Sequence, residues 1–91
     1  MNILELNQDT VDRYTELLQE INILLQHNEE SLAENKLQDF YARVEDEIGK
    51  DITNVGIIVE DSTNEVIGFT LHHNGTVDTY YKSGYQQQEN G

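Results

Sequence analysis

The sequence has no cysteine, no proline and no tryptophan, and it has only five lysines and arginines against 18 aspartates and glutamates. Without cysteine, the chain cannot form disulfides, thiolate metal sites or a cysteine nucleophile. No apolar run approaches the roughly 18 residues of a membrane span, and the N-terminal residues lack the pattern of a signal peptide. We therefore expect a cytoplasmic protein that makes no membrane contact.

Length and charge narrow the class of protein further. A chain of 91 residues forms one domain with a modest hydrophobic core. Its formal net charge of −13 would be repelled by the phosphates of nucleic acid, so direct binding to nucleic acid is not expected. A basic protein surface, by contrast, would attract it.

The segment after Asn7 has the apolar period of an amphipathic helix. Asn7 or Asp9 can cap its N-terminus, and residues 26–28 are expected to end it. The apolar positions recur at steps of three and four, which places them on one helical face: Val11, Tyr14, Leu18, Ile21 and Leu25.

A second helix is predicted to begin at Ser31. Ser31 and Glu34 have the spacing of a capping box, in which each side chain bonds the backbone amide of the other residue. Gly49 stands where a left-handed residue would end the helix. The apolar face again repeats at steps of three and four: Leu37, Tyr41, Val44 and Ile48. Because roughly five residues join the two helices, we expect an antiparallel hairpin.

After Gly49 the apolar period changes to two, which predicts strands. A three-residue loop at 62–64, with Asn64 in the left-handed conformation, would join the first two strands. This loop predicts three cross-strand pairs whose side chains all face the core: Val59 with Ile67, Ile57 with Phe69, and Val55 with Leu71.

The strongest hairpin signal in the chain is Asn74-Gly75, which predicts a two-residue type I′ turn. The turn leads into a third strand at residues 76–82. The predicted pairs are His73–Thr76, Leu71–Asp78 and Phe69–Tyr80 on one face, and His72–Val77 and Thr70–Thr79 on the other.

The predicted fold class is α+β, with a helical hairpin packed on one face of a three-stranded antiparallel meander. Residues 1–7 could add a short N-terminal strand. We expect residues 1–82 to form this single domain. Residues 83–91 lack an apolar pattern and are expected to form a flexible C-terminal tail.

No group of residues in the sequence is typical of an enzyme. His72 and His73 are neighbours in a strand, so they point to opposite faces and cannot hold one ion together. Ser31 and Ser62 are explained by a helix cap and a loop, and no glycine-rich phosphate loop is present. The sequence therefore predicts no catalytic activity, no cofactor and no metal site.

The acidic residues are concentrated in the helical half, where 13 of the 18 lie at or before Asp51. Four are spaced by three or four residues and would form one negative stripe on the first helix: Asp9, Asp12, Glu16 and Glu20. A second acidic group ends the second helix: Glu45, Asp46 and Glu47. A net charge of about 2–8 is enough for solubility, so the excess favours a surface that competes for a basic groove.

The sheet face turned away from the helices offers a second contact surface. Tyr81 would lie on it, and tyrosine supplies contact area at low entropic cost. Its predicted neighbours are uncharged: Val66, Gly68, Thr70, His72, Val77 and Thr79. The other interpretation is an ordinary solvent-exposed sheet face.

Two stretches resemble GCN5-related N-acetyltransferases. Residues 1–6, with Asp9 and the helix that contains Leu17-Leu18, are similar to the opening of that family, and residues 57–69 look like its second and third strands. The family continues with an Arg/Gln-x-x-Gly-x-Gly/Ala loop that binds the acetyl-CoA pyrophosphate. That loop is missing after residues 77–84, so the resemblance implies a front half without acetyl-CoA chemistry, and no catalytic residue carries over.

Two functional hypotheses follow. The first is a non-enzymatic acidic protein whose two acidic groups bind a basic protein surface, most concretely the nucleic-acid groove of a host enzyme. Small anti-restriction and anti-CRISPR inhibitors of phages and mobile elements share this size and charge. The alternative is a small regulatory or accessory subunit that associates through the sheet face around Tyr81 and could be a homodimer. The simplest interpretation of the acidic stripe, a solvated surface only, also stays open.

Overall fold

The computed structural model describes residues 6–85, which form two helices followed by three strands. The elements are α1 (Gln8–Gln26), α2 (Glu30–Ile48), β1 (Asn54–Glu60), β2 (Glu65–His73) and β3 (Thr76–Tyr81). The strands pair antiparallel in the order β1-β2-β3. This confirms the α+β class with a helical hairpin on a meander. The possible N-terminal strand falls almost wholly outside the described residues, and Leu6 and Asn7 have no regular secondary structure.

The ends of α1 are fixed by two asparagines. The Asn7 side chain accepts a hydrogen bond from the Thr10 amide at 2.9 Å, so Asn7 is the cap of the two candidates. At the other end Asn28 has a φ of 61°. The amides of Asn28 and Glu29 donate to the carbonyls of Leu25 and Leu24, which is the Schellman arrangement. This tight end leaves a linker of only residues 27–29.

The capping box predicted at Ser31 is wrong. The N-cap is Glu29, its side chain makes no capping bond, and α2 begins at Glu30. The Schellman turn carries the chain straight from α1 into α2, and the Glu29 carbonyl already accepts the first helical bond, from Ala33 at 2.9 Å. Ser31 therefore lies inside the first turn. The predicted C-cap is confirmed, because Gly49 is left-handed with a φ of 69°.

The second hairpin matches its prediction pair by pair. Asn74 and Gly75 have φ angles of 51° and 78°, as a type I′ turn requires. All five predicted pairs are present, from His73–Thr76 to Phe69–Tyr80. The turn chemistry thus sets the whole register of β2 and β3.

The first hairpin departs from its prediction at a β-bulge. Val55–Leu71 and Ile57–Phe69 pair as expected, but the register shifts at Ile58/Val59, and Val59 pairs with Val66 rather than Ile67. The bulge turns Val66 into the core, at 1% exposure, so its predicted place on the outer face is wrong. Ile67 lies outside the core instead of within it. The connecting loop has four residues, 61–64, rather than three, and Asn64 is left-handed as predicted, with a φ of 60°.

Three aromatic rings from three elements form the centre of the core. Tyr14, Phe40 and Phe69 are each no more than 1% exposed. They meet edge to face, with ring centroids 5.3 Å apart for Tyr14–Phe40 and 6.2 Å apart for the other two pairs. Such pairs add about 0.5–1.5 kcal/mol each beyond burial. α1 lies against β2 and β3 while α2 packs mainly on α1, and the contact of Phe40 with Phe69 ties α2 to the sheet.

The chain after β3 is held by specific contacts as far as the structure describes it. The Lys82 amide donates to the Ile67 carbonyl at 2.9 Å, and the Lys82 ammonium bonds the Glu65 carboxylate. Ser83 bonds Asp12 of α1, and the Tyr85 amide donates to the Lys82 carbonyl. Ser83 and Tyr85, which belong to the predicted flexible tail, are therefore held by hydrogen bonds. Residues 86–91 of that tail lie outside the described part of the chain.

Candidate interaction surface

Three carboxylates stand on the side of α1 that is opposite the core. We call Asp9, Glu16 and Glu20 the α1 acidic face; all three are exposed, whereas Val11 and Leu18 on the other side are buried. Within residues 6–85, Asp9 and Glu16 have no hydrogen-bonding or ion-pair partner. Glu20 lies 3.7 Å from the Lys36 ammonium, in a pair whose side chains are about half exposed. An exposed pair of this kind contributes little and leaves Glu20 available.

Asp12, the fourth residue of the predicted stripe, has a structural role. It accepts from the Ser83 amide at 2.8 Å, the Ser83 hydroxyl at 2.7 Å and the Gln8 amide group at 2.9 Å. The hydrogen bond from Gln8, and then those from Ser83, hold the pKa of Asp12 below its ordinary value. The helical spacing is as predicted, but the structure turns Asp12 toward the end of the chain. The contact with Ser83 spans 71 residues of sequence, so no local pattern could have indicated it.

In the second acidic group, two carboxylates make hydrogen bonds within the fold and one is exposed without a partner. Glu45 accepts from the Ile52 amide at 2.9 Å and so fixes the chain that enters β1. Glu47 accepts from the Tyr14 hydroxyl at 2.8 Å. Burial, and then this bond to Glu47, raise the pKa of Tyr14 to about 12. Asp46 is exposed and has no bonding partner among the described residues.

The helical hairpin carries a charge density comparable to that of a nucleic-acid strand. Residues 8–48 contain eleven carboxylates and three cations, a net charge of −8. Each helix has 19 residues and is about 28 Å long at a rise of about 1.5 Å per residue. This gives one net negative charge per roughly 3.5 Å of hairpin length, against about 3.4 Å for one strand of DNA. The sheet region, residues 54–81, contains only four carboxylates in 28 residues, against eleven in the 41 residues of the hairpin.

The sheet face turned away from α1 is uncharged except at the end of the first hairpin, where Glu60 pairs with Glu65. We define the outer sheet face by the uncharged residues whose register and burial place them there: Gly56, Ile58, Ile67, Gly68, Thr70, His72, Val77, Thr79 and Tyr81. Tyr81 lies across Gly68, where an added Cβ would come within 3.2 Å of Tyr81 Cδ1. Val77 is 52% exposed. Tyr81 is therefore on the face where the sequence predicted it, next to Ile67 rather than Val66.

The two neighbouring histidines point in different directions, as predicted. His73 is buried, with Nε2 2.7 Å from Asp78 Oδ2, whereas His72 is half-buried and its Nε2 lies 3.4 Å from the Thr70 hydroxyl. Among residues 6–85 no three His, Asp or Glu side chains come together in a way that could hold a metal ion. His73 thus belongs to the packing at the end of the second hairpin.

Sequence reasoning missed the residues that fasten the sheet to α1. Gln8 donates to the Tyr81 carbonyl at 3.0 Å, and Gln19 accepts from the Val66 amide at 2.6 Å.

Neither helix of the described chain is long and apolar enough to cross a membrane. Comparisons with protein-family models, with curated proteins and with solved structures find no match to this chain.

Proposed function

We propose that this protein is a non-enzymatic acidic inhibitor that binds the basic nucleic-acid groove of a host enzyme in the cytoplasm. Anti-restriction and anti-CRISPR proteins of phages and mobile elements are the type of inhibitor that we have in mind. The observation that carries the proposal is the α1 acidic face, whose carboxylates are exposed and largely unpaired within the described chain.

The α1 acidic face is presented by a rigid element. Tyr14 and Leu18, on the opposite side of α1, are at most 1% exposed and anchor the helix in the core. Carboxylates on such a helix lose little backbone freedom when they meet a partner, so less binding free energy is spent on ordering. The α1 acidic face is therefore a preformed surface for a partner.

The charge density of the hairpin supports the nucleic-acid groove as the target. A groove that holds a nucleic-acid strand has cations spaced for phosphates, and the hairpin offers about the same charge per unit length. Opposite charge would also speed the encounter, in a manner that salt suppresses. Asp39 and Asp46 add exposed carboxylates on α2, although Asp39 lies 3.8 Å from Arg43.

Capture of the target from an extract of the native host tests the proposal. The full chain serves as bait, and the retained protein is identified and then challenged with salt and with duplex DNA. We expect a nucleic-acid enzyme that is released by either treatment. A partner that stays bound at saturating duplex DNA would contradict groove occupation.

A second candidate function is a regulatory or accessory subunit that associates through the outer sheet face. The exposed Val77, together with Ile58, Ile67 and Tyr81 outside the core, favours it. Under this alternative, Val77→Asp and Tyr81→Ala abolish association with the captured partner, while substitutions on the α1 acidic face leave it unchanged. Under the inhibitor proposal the two sets of variants behave in the opposite way.

A further inference from the structure

β1 is an open and unprotected sheet edge. It pairs with β2 on one side, and no strand of the described chain lies on its other side. Its seven residues, Asn54–Glu60, contain no charged residue before the last. Natural sheets usually block such an edge with lysine, proline or a bulge in the edge strand itself. Here the extra residue of the bulge belongs to β2, so β1 itself stays regular and its open edge can pair with another strand.

The core-facing side of β1 is also incompletely covered. Val55, Ile57 and Val59 pack against the core but are only half-buried, whereas Phe69 and Leu71 of β2 are fully buried. The cause is the position of α1, which lies over β2 and β3. A strand added beside β1 would bring further apolar side chains against these three residues.

We propose that β1 is a self-association edge, at which two copies of this chain pair antiparallel about Ile57 to form one continuous six-stranded sheet. The sequence of β1 is complementary to its own reverse. Ile57 would oppose Ile57 of the second copy, Val55 would oppose Val59, and Gly56 would oppose Ile58. Glycine is the residue that leaves room for the isoleucine opposite it.

Charge does not oppose pairing with a second copy at this edge. With this register Glu60 of each copy opposes Asn54 of the other, so no two carboxylates are directly opposed. Every other position of the pairing is uncharged. The pairing surface therefore avoids the repulsion that the net charge of −13 would cause at most other places on the molecule.

The backbone of β1 has the hydrogen-bonding phase that this pairing needs. The Gly56 amide is directed at β2, where it donates to the Thr70 hydroxyl at 3.2 Å. Alternate residues of an antiparallel strand direct their amides to opposite sides, so Val55, Ile57 and Val59 direct theirs to the open edge. Ile57 on the two-fold axis can then exchange both backbone bonds with its copy.

Molar mass in solution, measured by light scattering or sedimentation across protein concentration, tests the proposal on the wild-type chain. We expect a monomer–dimer equilibrium that strengthens as NaCl is raised, because salt screens the repulsion between two like-charged copies. Binding of a basic target through the α1 acidic face would weaken under the same change. The two proposals can therefore fail independently. A chain that stays monomeric up to about 1 mM at high salt overturns this one.

Paired variants at Ile58 locate the interface. Ile58 is half-buried on the outer sheet face, and its copies would be diagonal neighbours roughly 7–8 Å apart in the dimer. Ile58→Glu and Ile58→Lys should each raise the dimer dissociation constant about tenfold or more, because each sets like charges against each other. An equimolar mixture of the two should associate again. Failure of the mixture to recover association overturns the proposal.

Thr79→Glu is the matched control, because Thr79 is exposed on the outer sheet face but belongs to β3. Thr79→Glu should leave the dimer dissociation constant unchanged. An increase as large as that of the Ile58 variants would show that the copies associate through the outer sheet face, and it would overturn the proposal of pairing at the β1 edge. Hydrogen exchange supplies a readout that needs no variant. The Ile57 amide should become protected as wild-type concentration rises, and an unchanged exchange rate overturns the proposal.

Discussion

Asp12 and Ser83 are joined by two hydrogen bonds across 71 residues of sequence, with the Ser83 amide at 2.8 Å and the Ser83 hydroxyl at 2.7 Å from the two carboxylate oxygens. Together with the bond from Gln8 to the Tyr81 carbonyl, they fasten the end of β3 to the first turns of α1. This contact takes Asp12 out of the acidic stripe and leaves the α1 acidic face to three residues.

Asp12→Ala should release the chain after β3. We expect faster hydrogen exchange at the Ser83 amide and a lower melting temperature than for Asp9→Ala, a matched loss of charge one turn earlier. The lowered pKa of Asp12 means that its contribution is present above the ordinary value of 3.8 and is lost as pH falls through the folded value. Equal Ser83 exchange in the two variants would show that Asp12 does not hold this segment.

Tyr14 should make the protein sensitive to alkali. Its pKa is raised from 10.0 to about 12 by burial and then by Glu47, so the folded chain holds the phenolic proton more tightly than the unfolded chain does. That contribution is complete below pH 10 and is lost as pH rises from 10 to 12. Urea unfolding of wild type should therefore show a steeper loss of stability over this range than Tyr14→Phe.

At neutral pH, Tyr14→Phe should cost about 1 kcal/mol of unfolding free energy, because the hydrogen bond to the exposed Glu47 carboxylate is lost. Glu47→Gln keeps an acceptor and is the control for the charge. Parallel pH profiles for wild type and Tyr14→Phe between pH 10 and pH 12 would contradict the assignment.

Gly68 should be less tolerant of a side chain than Gly75. A Cβ at Gly68 would collide with the Tyr80 backbone carbonyl and press on Tyr81, so Gly68→Ala must shift β3 and should cost at least about 2 kcal/mol. Gly75 has open space around it, so Gly75→Ala should lower the unfolding free energy by only about 1 kcal/mol, because alanine is strained at the positive φ of 78°. Chemical denaturation of both variants checks the order, and a larger loss at Gly75 would be against it.

The bulge can be tested by comparing two neighbouring residues of β2. Val66 is 1% exposed, whereas Ile67 is half-buried outside the core. Val66→Ala should lower the unfolding free energy by about 2 kcal/mol, and Ile67→Ala by less than about 1 kcal/mol. A larger loss of unfolding free energy for Ile67→Ala than for Val66→Ala would contradict the bulge and support the register predicted from the sequence.

The fold was predictable where local chemistry determines geometry. Asn74-Gly75 set every pair of the second hairpin, and the helical period identified the buried face of α1 except at Leu25, which is 47% exposed. In α2 only Val44 of the predicted face is fully buried, because the buried side is centred on Ala33, Phe40 and Val44. The first hairpin was less determined, because Val66 and Ile67 are both apolar and either can face the core. The loop at 61–64 then decided between them by taking one residue more than expected.

The candidate site was only partly predictable, for a different physical reason. Helical spacing placed Asp9, Glu16 and Glu20 on one face, but whether a carboxylate stays free depends on what lies beside it. Asp12 meets Ser83 and Glu47 meets Tyr14 through contacts between distant parts of the chain. A sequence pattern carries no trace of such contacts.

The affinity of the captured target for two matched double variants tests the central claim most directly. One variant, Asp9→Asn/Glu16→Gln, removes two exposed carboxylates from the α1 acidic face, and the other, Asp51→Asn/Asp61→Asn, removes two exposed carboxylates elsewhere. Titration calorimetry at fixed salt should show at least about tenfold weaker binding for the first and less than about twofold for the second. Equal weakening by both variants, or none by either, would contradict binding through the α1 acidic face.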